Sequence, residues 1–223
     1  MGLISVSHHI KSLLKENLVF FVPGFLFWSV GAFFLLISSK SAIHLWFDAH
    51  HFLVADLFFK YITYLGDGVF ISSLILLMYV FKYRYEAKVL FFSYLTSTIL
   101  VQIIKATLPH NNRPYLYFYG KSLQVVEGVP LLAGSSFPSG HSAGAFCLFF
   151  LAASFTPSNA VKSFFGLMAV VVCLSRIYLN QHFLADTIAG GIIAIGITVV
   201  VMAIFKYRKI NHSSGKVDTF YEL

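Results

Sequence analysis

The chain has 223 residues, 58% of them hydrophobic and 11% charged, where a soluble domain carries roughly 25% charged residues; this excludes an ordinary soluble globular domain. The formal charge of +7 does not by itself indicate nucleic acid, because basic residues in a membrane protein mark the cytoplasmic ends of its helices. Cys147 and Cys173 both lie inside apolar runs, which excludes a disulfide framework and a cysteine zinc site and leaves them as packing residues.

The segment before the first apolar run carries Lys11 and Lys15 and lacks the short apolar core and small-residue cleavage site of a signal peptide, so it is expected to stay on the mature protein. Apolar runs then predict six transmembrane helices, at 18–38, 67–82, 86–107, 141–155, 162–180 and 183–205, the second and fourth shorter than the ~20 residues that cross a bilayer. Between the first two, residues 42–65 read as an amphipathic helix lying in the interface. There His44, Asp48, Asp56 and Lys60 recur at multiples of four beside Trp46, Phe47, Phe52 and Phe58. Residues 108–140 form a long connection broken by Pro109, Pro114, Pro130, Gly120, Gly128 and Gly134. The aromatic content of its 115–137 stretch argues for a folded, functional loop. From about residue 206 the sequence reads as a polar, solvated tail. The predicted fold class is an all-α integral membrane protein, one domain over 1–223.

Six spans put both termini on one side. Lys11, Lys15, Lys82, Arg84, Lys88, Lys162, Lys206, Arg208, Lys209 and Lys216 fall on that side, which the positive-inside rule makes cytoplasmic. Three polar clusters converge on the opposite face: Lys105 to Pro114, Pro138-Ser139-Gly140-His141, and Ser175-Arg176 with His182 and Asp186. Lys105, Arg113 and Arg176 are costly in lipid and are expected to point into a polar cavity that takes an anion. Guanidinium groups fit phosphate oxygens in bidentate fashion and lysine adds a point charge. Ser139 and Gly140 precede the helix expected from His141, so their backbone N–H groups are placed to hold the same anion.

His182 and Asp186 are one helical turn apart. An aspartate so placed fixes the imidazole tautomer and leaves the other ring nitrogen to attack phosphorus. His141, arriving from another helix, is available as general acid for the leaving alkoxide.

Together these clusters resemble the signature of the type 2 phosphatidic acid phosphatase family, which also includes bacterial membrane phosphatases and, more distantly, vanadium haloperoxidases. The matching residues are Lys105 with Arg113-Pro114, then Pro138 to His141, then Ser175-Arg176, His182 and Asp186. The gap from Lys105 to Arg113 is one residue longer than is usual there, and Pro109 ends the helix so that loop can absorb it. The resemblance implies a phosphohistidine on His182 supported by Asp186, with His141 protonating the leaving group. It also implies phosphate binding by Lys105, Arg113, Ser139, Gly140 and Arg176, and no metal or other cofactor. Expected partners are membrane lipids and a lipid phosphate, such as phosphatidic acid, phosphatidylglycerol phosphate, undecaprenyl diphosphate or a lipid A phosphate, and not nucleic acid. A chain of this size suits a bacterial inner membrane, with the active site facing the periplasm.

Taken alone, the His182–Asp186 pair reads as an ordinary polar helix pair, and only the ordered set on one face carries the functional reading. His44, His50, His51 and His110 are assigned no catalytic role, and Asp67, between two glycines, reads as a helix cap. Two alternatives are a phosphatase of soluble phosphate esters and, from a different class, an anion transporter whose basic residues line a pathway.

Overall fold

The computed structural model of the chain describes residues 2–108 and 112–213. They form helices α1 (Gly2–Glu16), α2 (Leu18–Ile37), α3 (Lys40–Asp48), α4 (Leu53–Ile62), α5 (Gly68–Val80), α6 (Arg84–Thr107), α7 (Pro114–Tyr117), α8 (Gly140–Ser154), α9 (Asn159–Tyr178) and α10 (Leu184–Ser213). A 3-10 turn, Thr63–Gly66, joins α4 to α5. Short polar side chains start four of the helices by accepting backbone N–H groups that have no intrahelical partner. Ser39 takes that of Ala42, Asp67 that of Val69, Ser139 that of Ser142 and Ser158 that of Val161.

The core is built around α8. Every residue from Ser142 to Leu151 is buried, as a helix apolar on all sides must be, and α6, α9 and α10 pack around it. Cys147 and Cys173 sit unpaired inside this core; Cys147 Sγ takes contacts of 3.3 Å from the hydroxyls of Ser97 and Thr198. The outer surface is apolar instead of charged. Phe25, Leu26 and Phe33 on α2, Leu76 and Val80 on α5, and Ile99 and Ile103 on α6 are exposed, an extent of apolar surface that a water-soluble monomer does not carry.

Among the described residues, four helices are long and apolar enough to cross a membrane: Leu18–Ile37, Arg84–Thr107, Asn159–Tyr178 and Leu184–Lys209. A fifth crossing results if Leu53–Gly66 and Gly68–Val80, bent by 53°, act as one. The expected 141–155 span is a 15-residue helix, shorter than the ~20 residues of a full crossing, and it is wrapped by protein.

The 42–65 segment differs more. It is not one helix but two, α3 and α4, broken at 49–52. His44 and Asp48 are turned into the protein, 1% and 8% exposed, and Asp56 and Lys60 are half-buried, so the polar stripe with a period of four is a face for internal hydrogen bonds. The sequence from 206 is also not a free tail: α10 continues to Ser213, and 214–223 lie outside the described residues, as do Pro109 and His110.

At the end of the bundle remote from the motifs, α1 is tied down by two basic residues. Lys162 Nζ donates to the carbonyl of Glu16 at 2.6 Å, and Lys206 Nζ lies 3.9 Å from its carboxylate.

Candidate active site

The reversal between α9 and α10 positions His182. Asn180 takes a left-handed conformation, φ 57°, which asparagine tolerates better than most residues, and the carbonyl of Arg176 then accepts the N–H groups of Gln181 and His182 at 3.0 and 3.1 Å. His182 is 1% exposed. Its Nδ1 lies 3.6 Å from Asp186 Oδ2 and 3.3 Å from Ser136 Oγ. Ser136 in turn donates to Asp186 Oδ2 at 2.5 Å, and the same oxygen accepts the N–H of Phe183 at 2.8 Å. Nδ1 is therefore the held nitrogen and Nε2 the free one. Burial pushes the His182 imidazole down to about 3; Arg113 and Arg176 push the same way and the Asp186 carboxylate pulls back. At neutral pH the ring is uncharged and carries a lone pair.

The second motif packs directly on the third. Ser139 N–H donates to the Asp186 carbonyl at 2.9 Å, which commits the backbone group that the sequence suggested for an anion. The Ser139 hydroxyl oxygen accepts from Ser142 N–H and Oγ–H, at 3.3 and 3.0 Å, and its own proton remains to be donated. Gly140 N–H, at the start of α8, has no acceptor among the described residues, and space is open where a side chain would stand. So the groups left free to meet an anion at this helix start are the Gly140 N–H and the Ser139 hydroxyl.

Arg113 and Arg176 lie near the imidazole, and Lys105 lies near them. Arg176, 4% exposed, donates through Nη1 to Thr63 Oγ1 at 2.7 Å. Arg113, fixed where its N–H meets the Gly134 carbonyl at 3.2 Å, donates through Nη1 to the Gln181 carbonyl at 3.3 Å. In both guanidinium groups the buried Nε has no acceptor among the described residues, a capacity that suits phosphate oxygens. Lys105, half-buried at the end of α6, is near enough to feel the charges of Arg113, Arg176 and Asp186. His141 stands at the start of α8 with Nε2 3.5 Å from Asp67 Oδ2.

The structure thus gathers Lys105, Arg113, Ser139, Gly140, His141, Arg176, His182 and Asp186 at one end of the bundle. Sequence reasoning missed Ser136, Thr63 and Gln181. Ser136 carries no spacing signal, since it lies in a loop and reaches His182 only through the tertiary fold. Asp67 is the cap that was expected, and it also faces His141.

The α3–α4 segment and the 115–137 loop are both bonded to the turn between α9 and α10. Asn180 Oδ1 accepts from His44 Nε2 at 2.7 Å, and its Nδ2 donates to Asp48 Oδ1 at 2.8 Å and to the Gln124 carbonyl at 2.9 Å. His51 contacts Asp56 Oδ1 and the Tyr178 carbonyl, both at 2.9 Å. Burial pushes the His44 imidazole down to about 4, its bond to Asn180 opposing. His44 and His51 thus tie this segment to the turn between α9 and α10.

Among known proteins, phosphatidylglycerophosphatase B of Bacillus subtilis (strain 168) is 28% identical over 144 residues, a match covering 58% of this chain and 64% of that protein. The chain thus spans less than two thirds of that relative's length. The crystal structure of Aquifex aeolicus LpxE is similar with a TM-score of 0.62 and 25% identity, covering 72% of this chain and 93% of that one. The first transmembrane PAP2 type phosphatidylglycerolphosphate phosphatase from Bacillus subtilis shares the fold, with a TM-score of 0.56 and 22% identity over 90% of this chain and 99% of that one. A family model described as the PAP2 superfamily matches residues 86–210, the stretch that holds every motif from Lys105 to Asp186, and the chain belongs to that superfamily.

Proposed function

We propose that the chain is a lipid phosphate phosphatase that works through a phosphohistidine on His182, in a site open to the periplasmic side of a bacterial inner membrane. The observation that carries this reading is a buried, uncharged imidazole held at Nδ1 by Ser136 and Asp186, among three cations that have no carboxylate ion-pair partner among the described residues. Nε2 attacks phosphorus, and the bond to the alkoxide breaks. The departing oxygen takes a proton from His141, while Lys105, Arg113 and Arg176 with the Gly140 N–H and Ser139 hydroxyl hold the three equatorial oxygens. Water then attacks the phosphohistidine, giving its proton to His141. The P–N bond breaks and phosphate leaves, restoring both histidines.

Phosphatidylglycerol phosphate heads the list of substrates, because a relative is named for it. A lipid is favoured over a soluble ester because the helices around the site present apolar side chains outward. The orientation rests on the basic residues of the other end. Glu16 meets Lys162 and Lys206 there, so the end of α1, the start of α9 and the end of α10 share one side, and the positive-inside rule makes it cytoplasmic.

The test is phosphate release in detergent from a panel of lipid phosphates, with a chelator present, by the wild-type protein and by His182→Ala. The expected result is release by wild type, loss of at least about a hundredfold in the variant, and an acid-labile phosphoryl group trapped on the wild-type protein alone. Full activity in His182→Ala, or loss of wild-type activity under chelation, overturns the mechanism. Anion flux into liposomes without hydrolysis would replace the reading with a transporter.

A further inference from the structure

Resting on that reading, we propose that Asp67 is a positioning residue of the reaction: its carboxylate pairs with Nε2 of His141, orienting the ring and stabilising its protonated form, from which the opposite nitrogen, Nδ1, delivers a proton to the leaving oxygen. Asp67 lies outside the residues matched by the family, between the 3-10 turn and α5. Its two oxygens have separate jobs. Oδ1 accepts the N–H of Val69 at 2.8 Å, capping α5, while Oδ2 faces His141 Nε2 at 3.5 Å. That separation is an ion-pair distance slightly longer than a good hydrogen bond, as catalytic contacts often are before substrate arrives.

The pairing is enforced by the backbone. Gly66, just before Asp67, lies so close to α8 that a Cβ there would strike the carbonyl of His141 itself. Facing it, a Cβ on Gly144 would come within 2.7 Å of the Gly66 carbonyl. The turn carrying Asp67 is thus seated on the first turns of α8, and glycine at both contacts is what permits the approach.

Electrostatics supplies the reason. The charged and titratable groups facing His141 are Asp67, Arg176, His182, Arg113 and Lys105. Burial first, and then the three cations needed for phosphate, disfavour a positive charge on the His141 ring. A general acid in such a site requires a counter-charge of its own. Asp186, the other carboxylate of the site, is taken up by Ser136, Phe183 and His182. Asp67 is the carboxylate left for His141. With Nε2 turned to Asp67, Nδ1 passes its proton to the alkoxide as the P–O bond breaks, and the ring becomes neutral. It regains a proton from the water that opens the phosphohistidine.

The experiment compares kcat/KM of wild type, Asp67→Asn and Asp67→Ser on two substrates: an alkyl phosphate, whose alkoxide needs a proton to leave, and a nitrophenyl phosphate, whose phenolate does not. Asparagine and serine both cap helices well, so α5 keeps its start while the charge is lost. The expected result is a fall of about tenfold on the alkyl ester in both variants, with the aryl ester within about twofold of wild type. A fall of the same size on both esters overturns the proposal, since that is the signature of a weakened phosphate grip through Arg176 or of a loosened α5. No fall on either overturns it as well. His182→Ala, run in parallel, separates the two readings: if it is dead while the Asp67 variants show no split, the phosphatase stands and only the role of Asp67 falls.

Discussion

The Ser136 hydroxyl touches both the held nitrogen of His182 and the Asp186 carboxylate, so at the scale of one side chain it completes the set of contacts that orients the proposed nucleophile. Removing it leaves Asp186 Oδ2 with the Phe183 N–H and with His182 at 3.6 Å, too long for a firm hydrogen bond. Ser136→Ala is expected to lower kcat about tenfold with KM little changed, because the imidazole loses orientation while Lys105, Arg113 and Arg176, proposed to bind phosphate, stay in place. The thermal midpoint should fall only slightly, as one buried hydrogen bond is worth about 1 kcal/mol net. Steady-state kinetics beside a melting curve checks both; a large rise in KM would instead mean that Ser136 binds substrate. The His182–Asp186 pair was legible in the sequence because both residues sit at one helical junction with a spacing of four. Ser136 was not, because its contact spans 46 residues of chain and depends on how the loop before α8 is folded.

Among the elements, the decisive contact is that of α10 against the turn that starts α8. A Cβ at Gly190 would strike the carbonyl of Ser139, and Ser139 N–H is bonded to Asp186 one turn earlier on the same helix. Gly190→Ala must therefore push α10 away from the turn and with it His182 from the Gly140 N–H. The expected cost is about 1–3 kcal/mol of stability with loss of most activity. Gly196→Ala, further along α10 where nothing lies within 4 Å, should be neutral or gain up to about 1 kcal/mol from helix propensity. Melting curves and activity of the two variants form the check, and equal behaviour would refute the close-approach argument. The segment of α3 and α4 illustrates what periodicity leaves open. The repeat of His44, Asp48, Asp56 and Lys60 correctly marks a polar face, but a polar face satisfied by Asn180, Gln124, Tyr178 and Glu127 has the same pattern as one facing water. The break at 49–52 likewise depends on a partner far along the chain, the Tyr178 hydroxyl that accepts the Phe52 N–H at 3.1 Å.

For the molecule as a whole, two buried histidines couple stability to pH. His182 is held down to about 3 and His44 to about 4 by burial, whereas an unfolded histidine takes up its proton near pH 6.5. Between pH 6.5 and those values the unfolded chain binds more protons than the folded one, so stability falls on acidification. Each group contributes about 1.4 kcal/mol per pH unit within its window. The thermal midpoint in detergent is expected to be level above pH 7 and to drop steadily from pH 6.5 to 4.5. His44→Gln, which keeps a donor for Asn180, should make that drop shallower. A midpoint that rises on acidification would contradict the burial of both rings.

Composition and pattern alone determined that the chain is helical and lives in a membrane, and the ordered residues from Lys105 to Asp186 determined its family. Those conclusions need only local information: how many apolar residues follow one another, and which short motifs recur in order. The tertiary structure decided what depends on contacts between distant segments. It made α8 a short, wrapped core helix and turned the polar stripe of 42–65 inward. It also committed the Ser139 N–H to Asp186, joined Ser136 to His182, and set Asp67 against His141. Hydrogen bonds and ion pairs act over a few ångströms, so which groups share them is determined by packing and cannot be read from spacing along the chain.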